Sequence, residues 1–351
     1  MTIKFLKAEH GDAIFISYIN DGEIKNILID TGTGAIYSSR GNGRRKEGDL
    51  KKLVQSLKEN NQKIDLLIIT HWDDDHIGGV LKWFKEDIEG AKNLIKQIWF
   101  NSGTLINQYF VSNKASEDKN ILYMEYNPNT SVRQGITFEK YILDNDLSHS
   151  LIKIDTKLDD HINGAKFTIL SPTDTELRKL LTKWEESPYN PNTSASKKDY
   201  DKTFAELLSN DFQEDNAIHN GSSIAFILEI ENSKMLFLGD AHPSVIIDNL
   251  RKLEYSKDNK LQLDFVKISH HGSKANTSNE LLDMIESKKF VISSDGSSHG
   301  NPNKETIARI VNKNEGCTIY FNYPHLIDKI FTQEELNSGK FKVMGIGEIN
   351  I

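Results

Sequence analysis

Six residues, His71-Trp72-Asp73-Asp74-Asp75-His76, follow directly on the apolar run Leu66-Leu67-Ile68-Ile69 and lead into Gly78-Gly79. Four of them, His71, Asp73, Asp75 and His76, are metal-ligand types, and a buried strand ending in them delivers them together at one sheet edge. There they could hold one or two divalent cations and activate a water. A solvated polar loop would account for a single His-x-Asp, but not for four ligand types behind a strand. The pattern recurs along the chain. Asp240 ends Leu238-Gly239-Asp240, His270 and His271 follow the apolar stretch 265–268, and His299 lies beyond another apolar run in His299-Gly300-Asn301-Pro302. Several strands thus each carry His or Asp to a carboxyl end, where α/β architectures place their chemistry. Taken singly, Asp240 could be a helix N-cap and His299 a solvated loop residue. Metal-assisted hydrolysis needs no protein nucleophile, and the sequence holds no Walker loop or dinucleotide fingerprint that would point to other chemistry.

The elements that must position these residues are short strands broken by turns. Residues 2–6, 13–19 and 25–30 read as a meander bounded by Gly, Asp and Asn. Leu50, Leu53, Val54 and Leu57 recur at helical spacing over 49–60, behind Asp49 as a plausible N-cap. The strand 65–69 then carries the acidic cluster, helical periodicity resumes over 80–84, and 97–101 is the next strand. Between 103 and 160 the signal fades, leaving a helix over 136–144 and a polar stretch at 114–119. A strand at 166–170 and a helix at 176–186 precede residues 187–201, rich in Pro, Asn, Ser and Lys, which read as an insertion or lid. Strands return at 223–230 and 234–238, a hairpin, and again at 265–268 and 290–293. The expected organisation is a single domain over 1–351 with a mobile insertion at 187–218.

The chain has 351 residues, enough for one large α/β core. Its 43 Lys and Arg against 51 Asp and Glu give a net charge of -8, which argues against a general nucleic-acid coat but not against a local basic groove. Arg40, Arg44, Arg45 and Lys46 make a basic loop, and Lys274 follows the double-histidine turn. Arg44, Arg45 and Lys274 are therefore candidate contacts to substrate phosphate. Cys317, the single cysteine, excludes an intramolecular disulfide and reads as a small buried hydrophobe ahead of a strand. No window is apolar for long enough to span a bilayer, and the first residues lack the apolar stretch of a signal peptide. These features point to a reducing compartment, most simply the cytoplasm, and to no membrane partner.

Together these residues resemble the metallo-β-lactamase-fold hydrolases, whose His-x-His-x-Asp-His signature reads here His71-x-Asp73-x-Asp75-His76. With Asp in place of the second His, with Gly239-Asp240, His270-His271-Gly272-Ser273 and His299-Gly300-Asn301-Pro302, and with the openings Gly11-Asp12-Ala13-Ile14 and Ile29-Asp30-Thr31-Gly32, the chain is similar to the soluble ComEC-type competence metallohydrolase domains. The resemblance implies an α/β fold, a four-layer αβ/βα sandwich with the metals at one edge. It implies that one metal takes His71 and Asp73, that the second takes Asp75, His76 and His271, and that Asp240 bridges them. His219 stands near the place where the family supplies one more His to the first metal. His271 is then the ligand of its pair, and His270 orients substrate. The implied cofactor is two divalent metal ions, zinc first, with manganese favoured by the added carboxylate of Asp73. They would share a hydroxide whose pKa is lowered to roughly 7. Asp75, His270 and His299 complete the catalytic set, His299 meeting developing negative charge or protonating the leaving group. The implied activity is that of a binuclear metal-dependent hydrolase, a phosphodiesterase or nuclease with DNA or RNA as partner. Two alternatives stand beside it: a hydrolase of small lactones, thioesters or phosphodiesters with a closed pocket, and a partner-dependent metal-binding component of a defence or competence system.

Overall fold

A computed structural model describes residues 1–41, 44–112, 130–158, 163–185 and 198–350, without the side chains of 41, 44, 130–132 and 183–185. Two seven-stranded mixed sheets organise them. In spatial order the first is Glu348–Asn350, Thr2–Phe5, Ile14–Asn20, Glu23–Ile29, Leu66–Ile68, Ile98–Trp99 and His149–Ser150. The second is Lys342–Gly345, Thr318–Phe321, Lys289–Ile292, Phe265–Lys267, Ser233–Phe237, Ala225–Ile230 and Ala165–Ser171. Each contains an antiparallel meander that continues into parallel strands, the switch falling between Glu23–Ile29 and Leu66–Ile68 in one and between Ser233–Phe237 and Phe265–Lys267 in the other. The expected strands are present, half of them shorter than the sequence suggested.

Side-chain alternation explains the layering. In Leu66-Leu67-Ile68-Ile69 successive side chains point to opposite faces. Leu66 and Ile68 enter a core shared by the two sheets, whereas Leu67 and Ile69 pack with Leu57, Trp83 and Phe84 from the helices Asp49–Glu59 and Asp74–Leu94. A third core holds Leu236 and Val266 of the second sheet against Ile246 and Ile307 of the helices Pro243–Lys252 and Lys304–Lys313. Three cores between four layers are the αβ/βα sandwich. Within the central core an unbroken series of aromatic contacts runs from Phe5 of the first sheet through Phe265, Phe237, Phe226 and Phe167 of the second and back to Trp99 of the first, with centroid separations of 6.2, 5.6, 5.5, 5.3 and 4.7 Å.

Several elements differ from the sequence reading. The helix expected over 80–84 begins at Asp74, inside the acidic cluster, and extends to Leu94. Asp74 and Asp75 fill its first turn, where the partial positive charge of the helix terminus favours carboxylates. The helix Lys304–Lys313 was not expected from the sequence, and it buries Lys304, Glu305 and Arg309 together with its apolar residues. Residues 198–218, part of the expected insertion, run along this helix. Asp199 accepts hydrogen bonds from the Lys304 and Glu305 N–H groups at 2.8 and 3.0 Å, and Asn210 donates to Glu305 at 2.9 Å. The remainder of that insertion, 187–197, and the polar stretch 114–119 lie outside the described residues. Cys317 is buried, and burial pushes its thiol up to about 11, as its reading as a core hydrophobe requires. No helix among the described residues is long and apolar enough to cross a membrane.

Gly79 is required by a close approach. A Cβ there would overlap the Thr31 carbonyl oxygen, and around it the Gly79 N–H donates to the Gly32 carbonyl at 2.8 Å and the Val80 N–H to Thr31 Oγ1 at 2.9 Å. Thr31 N–H in turn donates to the His76 carbonyl at 2.8 Å. Gly79→Ala is expected to destabilise the protein by about 1–3 kcal/mol in urea unfolding, the usual range for overpacking. It should also weaken metal binding through displacement of His76; an unchanged midpoint would contradict this packing account.

Candidate metal centre

The ligand-type residues of three separate strand ends converge at the edge between the two sheets. His71 to His76 follow Leu66–Ile68, Asp240 follows Ser233–Phe237, and His270 and His271 follow Phe265–Lys267. Asp73 occupies the N-cap position of its helix yet makes no capping hydrogen bond, although Asp at that position normally accepts one. Its carboxylate turns instead to His219, with 3.0 Å between Oδ2 and Nε2. His270 and His271 both adopt left-handed backbone angles, φ 47° and 53°, at a cost of order 1–3 kcal/mol each for residues with a Cβ. The turn is held by the His270 N–H to the Gly239 carbonyl at 2.9 Å and by the Ser273 N–H to the His270 carbonyl at 2.8 Å. Its effect is to aim two consecutive imidazoles at Asp240.

Two half-sites share Asp240. On one side His271 Nε2 lies 3.1 Å from Asp75 and 3.2 Å from His76 Nε2, and His76 Nε2 lies 3.4 Å from Asp240 Oδ1. On the other, Asp240 Oδ2 is 3.8 Å from His71 Nε2 and 3.6 Å from His270 Nε2, while His71 Nε2 is 3.9 Å from Asp73. His219 joins this second half through Asp73. Both histidines of the 270–271 pair therefore enter the cluster, one in each half.

Hydrogen bonds behind the imidazoles fix their protons. His76 Nδ1 donates to Asp30 at 2.8 Å and His271 Nδ1 to the Ser293 carbonyl at 3.1 Å. With those protons on Nδ1, the two Nε2 atoms face each other at 3.2 Å as lone pairs, an arrangement that calls for a cation between them. His71 Nε2, Asp73 Oδ1 and Asp240 Oδ1 are buried without a hydrogen-bond partner, which is costly for polar atoms unless something binds there. This donor set fits divalent metal.

The electrostatics agree. Burial opposes protonation of His76, but Asp240, Asp30 and Asp75 overturn it and hold its pKa well above the usual histidine value. Burial likewise opposes His271, and Asp12 and Asp240 bring it up to about 10; His270 rises to about 8 against burial because of Asp240 and Asp215. His71 moves the other way, down to about 4, through burial and the charge of His76. Burial would raise Asp240, yet the His270, His76 and His271 imidazoles keep it well below the carboxylate range. The cluster attracts positive charge, and metal ions compete for the places these protons take.

The structure places the other sequence candidates outside this convergence. His299 is on the exposed rim, with φ 50°. Burial lowers its pKa, Asp75 works against that, and His270, His10 and His271 add to the lowering. Lys274 follows the histidine turn, its half-exposed side chain 3.7 Å from Glu305. Arg45 is not brought to the cluster. It lies on the hairpin Ser38–Gly41 and Arg44–Glu47 and pairs with Glu86, eleven residues and about 16 Å along the helix from Asp75. The Arg44 side chain lies outside the described residues. The sequence reading missed Asp12, Asp215, Asn276, Lys267 and the hydroxyls of Thr70 and Ser223. Asp215 Oδ2 accepts from Asn220 and Asn276 at 2.7 and 3.1 Å and faces His270 Nδ1 at 3.5 Å, while Asn276 Oδ1 is 2.9 Å from the same nitrogen. Ser223 and Thr70 hydroxyls stand 3.1 and 3.2 Å from His71 Nδ1. One signal was available: Lys267 interrupts an otherwise apolar strand.

A comparison with solved structures gives CmlA, a diiron beta-hydroxylase from Streptomyces venezuelae, at 11% identity and a TM-score of 0.40, over 99% of this chain and 53% of that one. The chain thus spans about half the length of that protein. No functionally curated protein matches it in sequence. The family model of the metallo-beta-lactamase superfamily matches residues 10–88 and 149–296. With that match over well over half of its length, the chain belongs to the metallo-beta-lactamase superfamily.

Proposed function

We propose that the protein is a binuclear metal-dependent phosphodiesterase. The observation that carries the reading is Asp240, buried between two sets of imidazoles and carboxylates and within 4 Å of His76 and His271 of one and of His71 and His270 of the other. Asp75, His76 and His271 with Asp240 would hold one cation, and His71, Asp73 and His219 with Asp240 the other. Zinc is the first choice of metal and manganese the second, Asp73 hardening the second half-site. Two such ions supply Lewis acidity and make a bound water a nucleophile near neutral pH. The chain's own residues do the rest. His270, fixed at Nδ1 by Asn276 and Asp215, directs Nε2 at the shared carboxylate and orients what binds there. His299, neutral near pH 7 because its pKa is lowered, offers an N–H to charge developing on the substrate. Lys274 supplies an exposed cation beside the histidine turn.

His299→Ala is expected to lower turnover about a hundredfold, within the range for a positioned donor or acid, with both metals retained by elemental analysis. Parallel loss of metal would make His299 structural. Because Lys274 follows the histidine turn whereas Arg45 pairs with Glu86, about 16 Å along the helix from Asp75, Lys274→Ala should reduce the salt dependence of oligonucleotide binding by about 0.7–0.9 in the log–log slope, one phosphate contact, and Arg45→Ala should leave it unchanged. The opposite ranking would return the basic hairpin to the substrate path.

The deciding experiment is metal-reconstituted protein assayed on single-stranded DNA, duplex DNA, RNA, a generic phosphodiester and a lactone, with Asp75→Ala beside it. Cleavage of phosphodiesters that disappears in Asp75→Ala supports the reading. Lactone hydrolysis alone overturns it, and activity that survives the substitution is not this site's.

A further inference from the structure

Lys267 sits in a strand among the buried residues Phe265, Val266 and Ile268, with its side chain 1% exposed. An ammonium at such a place is strongly unfavourable unless it is paired and hydrogen-bonded. Nζ donates to Asp12 Oδ2 at 2.6 Å and to the Ile268 carbonyl at 2.9 Å. Asp12 belongs to the loop between the first two strands of the other sheet, so the pair joins the sheets at the edge that carries the ligands. An ion pair that served only to join them would leave no reason for the position of the second oxygen. Asp12 Oδ1 is buried without a hydrogen bond, 3.5 Å from His271 Nδ1.

We infer that Lys267 and Asp12 are positioning residues for the His271 half-site: Lys267 pins one oxygen of Asp12, and the other places its charge 3.5 Å from His271 Nδ1, beside the Ser293 carbonyl that accepts the Nδ1–H at 3.1 Å, so that Nε2 is held facing Asp75 and His76. The inference rests on the proposed binuclear centre. A carboxylate behind an imidazole fixes its tautomer and strengthens the donor nitrogen opposite. Asp30 stands in that relation to His76, at 2.8 Å. At His271 the Ser293 carbonyl accepts the Nδ1–H and Asp12 adds the carboxylate charge beside it, so both imidazoles of this half-site have a carboxylate behind them. His71, in the other half, has the hydroxyls of Ser223 and Thr70 at its Nδ1. The two halves are thus unequal by construction, and the half containing His271 is the one that depends on Asp12.

The test uses metal-free full-length protein titrated with Zn2+ against a chromophoric chelator, and with Co2+ followed by absorption. Wild type is compared with Asp12→Asn and with the double variant Asp12→Asn, Lys267→Met. Asp12→Asn should bind one of two metal equivalents about ten- to a hundredfold more weakly, the usual loss for such a partner, with a changed Co2+ spectrum and the other equivalent unaffected. It also leaves Lys267 buried without its counter-charge and should lower the urea midpoint. The double variant removes both charges and should recover that midpoint without recovering the affinity. Affinity restored together with stability, or an Asp12→Asn protein that binds both equivalents as wild type does, would reduce the pair to a structural tie and overturn the inference. A wild-type protein that takes up fewer than two equivalents overturns the binuclear centre itself, and the inference with it.

Discussion

Asp240→Asn is expected to lower hydrolysis about a thousandfold and to leave the protein with at most one tightly bound cation. The substitution keeps the shape and one carbonyl oxygen but removes the charge that both half-sites share. Asp240 lies within 4 Å of His71, His76, His270 and His271, so no other side chain stands ready to replace it at the centre. Losing one of two Lewis acids withdraws several kcal/mol of transition-state stabilisation, and about 1.4 kcal/mol corresponds to each tenfold in rate; a thousandfold loss follows. Elemental analysis of the dialysed variant and initial rates on a phosphodiester check it. Two retained equivalents with a rate within tenfold of wild type would mean that Asp240 does not join the half-sites. Asp240 is buried and its neighbours are imidazoles, so the metal-free variant should stay folded, with an unchanged circular dichroism spectrum.

Trp99→Ala is expected to destabilise the protein by about 3–5 kcal/mol, the range for truncating a buried large aromatic residue. Trp99 is fully buried in the central core and meets Phe167 of the opposite sheet edge-on at 4.7 Å. It ends the aromatic series that holds the two sheets together, and its carbonyl accepts the Ile69 N–H at 3.0 Å, two residues before His71. The cavity would therefore open directly behind the metal cluster. Trp99→Phe should cost much less, because it keeps most of the apolar contact and removes an indole N–H that is buried without a partner. Urea unfolding of both variants checks the pair of values. Equal losses would show that the indole itself, and not the filled volume, stabilises the interface.

Much of the architecture was legible because strands and ligands lie next to each other in sequence. The run Leu66 to Ile69, apolar at every position, announced a strand buried on both faces, and the observed partition of its side chains into two cores is what such a run requires. The resemblance drawn from the spaced His and Asp residues led to the superfamily that the family model matches. Less was legible where polar residues are buried. Lys304, Glu305 and Arg309 lie inside the protein because Lys304 pairs with Glu335, Glu305 with Arg309 and Asn210, and Arg309 also donates to the carbonyls of Lys274 and Thr277, and a pattern of apolar periods has no means of registering a polar residue that packs inward. Arg45 looked available for phosphate in the sequence; its pairing with Glu86 depends on where a hairpin lands on a helix.

By itself the sequence determined which residues could bind metal, that strands carry them to a common edge, and that Asp73 departs from the all-histidine first half of the superfamily signature. These properties are local: the order of residue types along a strand end survives any change in the rest of the molecule. Only the tertiary structure decided which imidazole meets which carboxylate. Asp12 and Lys267 are 255 positions apart and 2.6 Å distant, and Asp30 reaches His76 across 46. The first pair is fixed by how the two twisted sheets pack face to face, the second by the parallel pairing of Glu23–Ile29 with Leu66–Ile68 within one sheet. Tertiary contacts thus placed the Asp30 carboxylate behind His76 but the Ser223 hydroxyl behind His71, and so made two half-sites of similar sequence chemically unequal.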